Sequence, residues 1–139
     1  MLIQLSGVSV PRSLHGPVLV DAHGLPRYWA AIWSTASAAQ LADSTHIKKL
    51  RQIENLYLHA DNLLGRSALD DALGTLDDDA LARIPESWLV TIRNQAHTTE
   101  NDEKRWQTGL AFVTSVVTWV SKSRADKLMR HIDERLQRL

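Results

Sequence analysis

DSTHIKKLRQIENLYLHADNLLG, residues 43–65, decides the fold class. Ile47, Leu50, Ile53, Tyr57, Ala60 and Leu64 recur at three- and four-residue spacing, the period of one face of an α-helix. Asp43 or Ser44 suits the N-cap, because a short side-chain oxygen can accept from the free N–H groups of the first turn. Gly65 suits the C-terminal stop. Thr45, Lys48, Gln52, Asn55 and His59 share the opposite, polar face, with Lys49 and Arg51 beside them. The stretch is therefore an amphipathic helix with one apolar and one basic-polar side.

The same period continues outward. Leu25, Tyr28, Trp29, Ile32 and Trp33 form an earlier apolar face, with Pro26 suited to a first helical position. Residues 34–42 are rich in small side chains and read as a loop or turn. Ser67 suits the cap of a short helix carrying Leu69, Ala72 and Leu73, stopped at Gly74. Thr75 and Asp77-Asp78-Asp79 suit a fresh helix start, where acids complement the helix dipole. Leu81, Ile84, Trp88, Leu89 and Ile92 continue it, with a break or kink predicted near Pro85. His97 to Asn101 reads as a polar connector, with Thr98 or Thr99 as cap. Trp106, Leu110, Val113, Val117 and Val120 mark a long helix ending near Lys122 and Ser123. Leu128, Ile132, Leu136 and Leu139 form a last amphipathic stripe. Residues 1–24 differ: Ile3, Leu5, Val8 and Val10, then Val18-Leu19-Val20, are strand-like, separated by Pro11, Gly16 and Pro17 and closed by Asp21 and His23-Gly24. The prediction is a mainly α chain: a bundle of five to six helices behind a short β-hairpin or extended N-terminal arm. Its parts are residues 1–24 as the arm, 25–122 as the helical domain and 123–139 as an amphipathic helix.

Composition is that of one globular domain: 139 residues, 44% hydrophobic and 23% charged. There is no cysteine, which excludes disulfides and thiolate metal sites. No apolar run approaches the ~20 residues of a membrane helix, and no secretory leader is legible, so a soluble cytoplasmic protein without a membrane partner is expected. Sixteen bases balance 16 acids, so the distribution of charge carries more information than its total.

Catalytic patterns are not legible. There is no Gly-rich phosphate loop, zinc-binding His pair or nucleophile elbow. His15, His23, His46, His59, His97 and His131 are scattered and read as surface residues. The aspartates at 77–79 lack the glycine and distal glutamate of a calcium loop and read as a helix start. Trp29, Trp33, Trp88, Trp106 and Trp119, with Tyr28 and Tyr57, lie on apolar faces and read as core. No catalytic residue, cofactor or metal site is predicted. Lys104, Thr108, Ala111, Ser115, Thr118 and Lys122 share one side of the long helix, with Arg105 and Gln107 adjacent. Small hydroxyls between bases fit a phosphate backbone or groove floor; on spacing alone, a solvated helix face is the simpler account.

Two stretches carry a resemblance. Residues 42–54, Ala-Asp-Ser-Thr-His-Ile-Lys-Lys-Leu-Arg-Gln-Ile-Glu, are followed by Leu69 to Ala80. Residues 99–120 contain Lys104-Arg105-Trp106-x-Thr108-x-Leu110-x-Phe112-Val113. In order and spacing they resemble the N-terminal core-binding (SAM-like) domain of tyrosine recombinases and phage integrases. The opening Leu25-Pro26-Arg27-Tyr28-Trp29-Ala30 looks like a subgroup of bacterial integrases, and the resemblance spans roughly residues 25–138. It implies half of a C-shaped clamp on double-stranded DNA. It also implies a separate catalytic domain as partner, whose tyrosine forms a covalent phosphotyrosyl link, and self-association on DNA without metal or nucleotide. None of that catalytic set maps onto this sequence. The DNA contacts it implies are Ser44, Thr45, Lys48 and Lys49 at the first motif and Lys104, Arg105, Gln107 and Thr108 at the second. The acids Glu100, Asp102 and Glu103 sit among those bases in sequence. The competing expectation is a helical protein–protein interaction module that uses the amphipathic helix at 124–139.

Overall fold

A computed structural model describes residues 1–5, 16–37, 41–95 and 100–139. Strands β1 (Leu2–Leu5) and β2 (Gly16–Leu19) pair antiparallel, in register Leu2↔Leu19 and Ile3↔Val18. Five helices follow among the described residues: α1 (Tyr28–Ala36), α2 (Asp43–Leu64), α3 (Ala68–Thr75), α4 (Asp78–Arg93) and α5 (Glu100–Gln137). The mainly helical bundle behind a small hairpin is therefore the observed architecture. No helix among the described residues is long and apolar enough to cross a membrane.

The helix at 43–65 is the centre of the core. Leu50, Ile53, Leu56, Tyr57 and Ala60 of α2 are buried, while Leu64 is exposed. The buried face thus takes in Leu56, which the periodicity had passed over, and drops Leu64. Around it pack Trp33, Leu69, Leu73, Ile84, Trp88, Phe112, Val113 and Val116, and Leu19 brings β2 onto the same cluster. Of the tyrosines, Tyr57 is core but Tyr28 is exposed, against expectation.

Helix starts and stops depart from local expectation for reasons of pairing. Arg27 N donates to Leu19 O at 2.8 Å, and Pro26 bridges Val20, so the chain stays extended against the hairpin until Arg27. Pro26 therefore precedes helix α1 instead of opening it. Ala42, not Asp43 or Ser44, occupies the N-cap of α2, and it makes no side-chain cap bond. Ser67 flanks α3 in the left-handed region without a side-chain cap bond. Gly74 does not stop α3; Leu76 does, at φ 51, with its apolar side chain packed on the core. That conformation costs an L-residue roughly 1–2 kcal/mol, which the burial offsets. Helix α4 does start within the aspartate run, with Asp77 as N-cap accepting from Ala80 N at 3.2 Å, whereas Thr75 is the last residue of α3. Helix α4 runs unbroken through Pro85, so of the break or kink expected there the break does not occur; Ile84 and Trp88 anchor the turns beside it in the core. The predicted caps Thr98 and Thr99 lie outside the described residues. Helix α5 continues past Lys122 and Ser123 as one helix of 38 residues.

Helix α1 receives its cap from another element. The Asp70 carboxylate of α3 accepts from Tyr28 N at 2.8 Å, from Trp29 N at 3.3 Å and from the Tyr57 hydroxyl at 2.6 Å. The Tyr57 oxygen in turn accepts from Ala30 N at 3.2 Å. The buried Arg27 guanidinium lies 4.9 Å from the Tyr57 ring centroid and donates to Asp61 at 2.8 Å. One carboxylate thus joins α1, α2 and α3.

Gly109 sets how closely α5 lies on the bundle. A Cβ there would stand 2.7 Å from Trp88 Cη2 and 3.5 Å from Leu56 Cδ2. The Trp88 ring is buried and its Nε1 is held by Asn55 Oδ1 at 3.2 Å, so it cannot yield cheaply. Gly109→Ala is expected to destabilise the fold by about 1–3 kcal/mol through overpacking, although alanine is favoured by about 1 kcal/mol in a helix. Urea unfolding measures it; an unchanged or raised midpoint would mean that the Trp88 packing is loose.

Candidate nucleic-acid interface

The close approach at Gly109 lays the first turns of α5 beside the first half of α2. The row Thr45, Lys48, Lys49 and Gln52 on α2 then faces Lys104, Gln107 and Thr108 on α5 across a shallow cleft of about 220 Å³. A second depression of about 240 Å³ is lined by Lys48, Arg51, Gln52, Asn55, Asn101 and Arg105. The two share Lys48 and Gln52, so they adjoin along the α2–α5 seam.

Of the residues expected to contact DNA, Thr45, Lys48, Lys49, Lys104, Gln107 and Thr108 line the cleft, and Arg105 lines its continuation. Ser44 is exposed on the first turn of α2 and lines neither part. Gln52, Asn55 and Arg51 were legible as part of the polar side of α2 but were not assigned to the site. Asn101 was missed. Its signal is spacing: it precedes Arg105 by four residues and so shares a face with it.

The charges of α5 are sorted around the helix. Lys104 and Arg105 face the α2 side, whereas Asp102 and Glu103, with Glu100, line a larger cavity of about 510 Å³ on the α4 side with Leu89, Ile92, Arg93 and Trp106. Acids and bases that alternate in sequence thus separate in space. Two pairs still cross between the sets: Lys104 Nζ lies 3.8 Å from Glu100, and Arg105 lies 3.3 Å from the buried Asp102. The Lys104–Glu100 pair is exposed and so worth little against a phosphate. Among the described residues, Lys48, Lys49 and Arg51 have no carboxylate within ion-pair distance. The cleft therefore carries uncompensated positive charge despite the neutral total.

The neighbouring hydroxyl row is only partly available. Thr118 donates to Thr114 O at 2.8 Å, and Ser115 is half-buried. His46 and His59 are not solvated as expected. His46 Nε2 lies 3.0 Å from Ser34 Oγ, and His59 Nε2 lies 2.9 Å from Ser87 Oγ, tying α2 to α1 and to α4. Burial lowers both imidazoles from the ordinary histidine value, which favours their neutral form.

No family model, curated protein or solved structure matches the chain.

Proposed function

We propose that this chain binds double-stranded DNA along the α2–α5 cleft, as the core-binding half of a tyrosine-type site-specific recombinase acting in the cytoplasm. The observation that carries the DNA reading is the convergence of Lys48, Lys49 and Lys104, from two helices far apart in sequence, on one shallow groove with Thr45, Gln52, Gln107 and Thr108. The groove's shallowness and continuation along the seam suit an extended polyanion. Lysines give affinity by displacing condensed counterions; glutamine, asparagine and threonine side chains fix register on the backbone and read base edges in the groove. The recombinase assignment rests on the two sequence motifs, whose DNA-contact positions are, apart from Ser44, the ones gathered along this groove.

Fluorescence anisotropy on a labelled generic duplex tests the surface. Lys48→Ala and Lys104→Ala should each weaken binding, while Arg83→Ala, an exposed base on α4 outside the cleft, should leave it unchanged. Equal losses for all three would mean diffuse charge attraction and would remove the cleft from the account.

A further inference from the structure

Beyond Val120, α5 leaves the bundle, and every residue from 121 to 139 is exposed. The exposed stretch is nevertheless patterned. Ala125, Leu128, Met129, Ile132, Leu136 and Leu139 recur at three- and four-residue spacing, and Leu128, Met129 and Leu136 are each more than half exposed. A helical segment of this length whose residues all stay exposed is marginal in water, and an apolar stripe stabilises it only when another surface covers the stripe.

The stripe points away from its own bundle. At about 100° per residue, Ala125 lies roughly 140° and Leu136 roughly 160° around the helix from Val120, the last residue α5 buries. Upstream on that outward face stand Ala111, Thr114, Thr118 and Ser121, all exposed and small. A second helix can therefore lie along the stripe without meeting this copy's bundle. Charge selects which helix. Arg124, His131, Arg135 and Arg138 follow one edge of the stripe, and Asp126 and Asp133, preceded by the single base Lys122, follow the other. Arg124 also reaches back to Gly74 O at 2.9 Å, which fixes the root of the segment.

We propose that the segment beyond Val120 is a homodimer interface in which two copies of α5 pack in parallel along this stripe. In a parallel pair, opposite edges of the two helices meet, so the basic edge of each copy runs beside the acidic edge of the other. An antiparallel pair sets base against base and acid against acid, which is unfavourable. The inference is independent of the DNA reading. The stripe starts about 26 Å along α5 from Thr108.

Sedimentation equilibrium on the 139-residue chain should show a mass rising with concentration toward twice 15.6 kDa. The double variant Ile132→Lys/Leu136→Lys should return the mass to 15.6 kDa while retaining the cooperative melt of the bundle. The chain has no cysteine, so a single introduced thiol reads orientation. Ala125→Cys should give a disulfide-linked dimer on mild oxidation, and Arg130→Cys, on the far side of the helix, should not. A monomer at the highest soluble concentration overturns the proposal, leaving the stripe to another protein or domain. A dimer unaffected by the lysine pair overturns its placement. Cross-linking only between mixed Ala125→Cys and Leu139→Cys chains shows an antiparallel pair and overturns the parallel arrangement.

Discussion

Asp70→Ala is expected to lower the unfolding free energy by about 3–5 kcal/mol, the largest loss from any single substitution considered in this fold. The carboxylate satisfies three donors at once: Tyr28 N, Trp29 N and the Tyr57 hydroxyl. Each buried donor left without a partner costs about 1–3 kcal/mol. The Tyr28 bond is exposed and counts least, because water replaces it. The Tyr57 hydroxyl lies in the core and counts most. The loss also removes the cap of α1, for which no side chain of its own substitutes. Removal of one member of a buried charged network that includes Arg27 and Asp61 belongs in the same range. A fall in the thermal midpoint of about 10 °C or more follows for a domain of this size. Asp70→Asn keeps an acceptor and should lose less. The pH dependence has a definite sign. Burial raises the Asp70 carboxyl above its ordinary value, against the hydrogen bonds from Tyr57, Trp29 and Tyr28 and the Arg27 charge, which pull it down. The folded state therefore takes up this proton before the unfolded state does. As pH falls through the raised value, Asp70 adds stability relative to the alanine variant, so it does not contribute to acid unfolding. Chemical denaturation across pH 3–7 checks both the size and the sign, and equal midpoints for the alanine variant and the parent would contradict the network.

The second large effect is on binding. Lys48→Ala/Lys49→Ala/Lys104→Ala removes the three lysines of the cleft. With a salt slope of about 0.9 per neutralised phosphate, each contact contributes on the order of tenfold at ~50 mM salt relative to molar salt, so the triple variant should bind duplex on the order of 10³-fold more weakly. Folding should be unaffected, since Lys48 and Lys104 are exposed and Lys49 is half-buried and unpaired among the described residues. Anisotropy titrations at low salt measure the loss, with circular dichroism confirming the helix content. Retention of parent affinity would show that the duplex, if bound, lies elsewhere.

What was legible in the sequence is what depends on neighbours three or four residues away. The apolar faces of α2, α4 and α5 followed from Leu50, Ile53, Tyr57, Ile84, Trp88, Val113 and Val120; of the hairpin and the extended arm, the structure shows the hairpin, through Ile3 and Val18, while Val8 and Val10 lie outside the described residues. The start of α4 at the aspartate run was legible because it is local. The cap of α1 was not, because Asp70 supplies it from an element some 40 positions on. Leu76 replaced Gly74 as the stop of α3 because core packing outweighed a backbone preference. Lys122 and Ser123 looked like a helix end only because they are polar; neither carries a stop signal such as a following glycine or proline, and the helix passes through them. The candidate site was half legible in the same way. The row Thr45, Lys48, Lys49 and the row Lys104, Gln107, Thr108 each follow from helical spacing. Their union across one cleft follows from the approach of α5 at Gly109, a tertiary fact that periodicity does not hold. The sorting of Asp102 and Glu103 away from the cleft likewise appears only once α4 and α2 pack against different parts of the α5 surface.

The central claim is that the α2–α5 cleft grips duplex phosphates, and the measurement that tests it most directly is the slope of log K against log salt for the parent and the triple lysine variant. About four to six phosphates neutralised along the groove give a parent slope of roughly −3.6 to −5.4, and loss of the three lysines should make it shallower by about 2.7. No binding at ~50 mM salt, or the same slope in both proteins, would contradict the account.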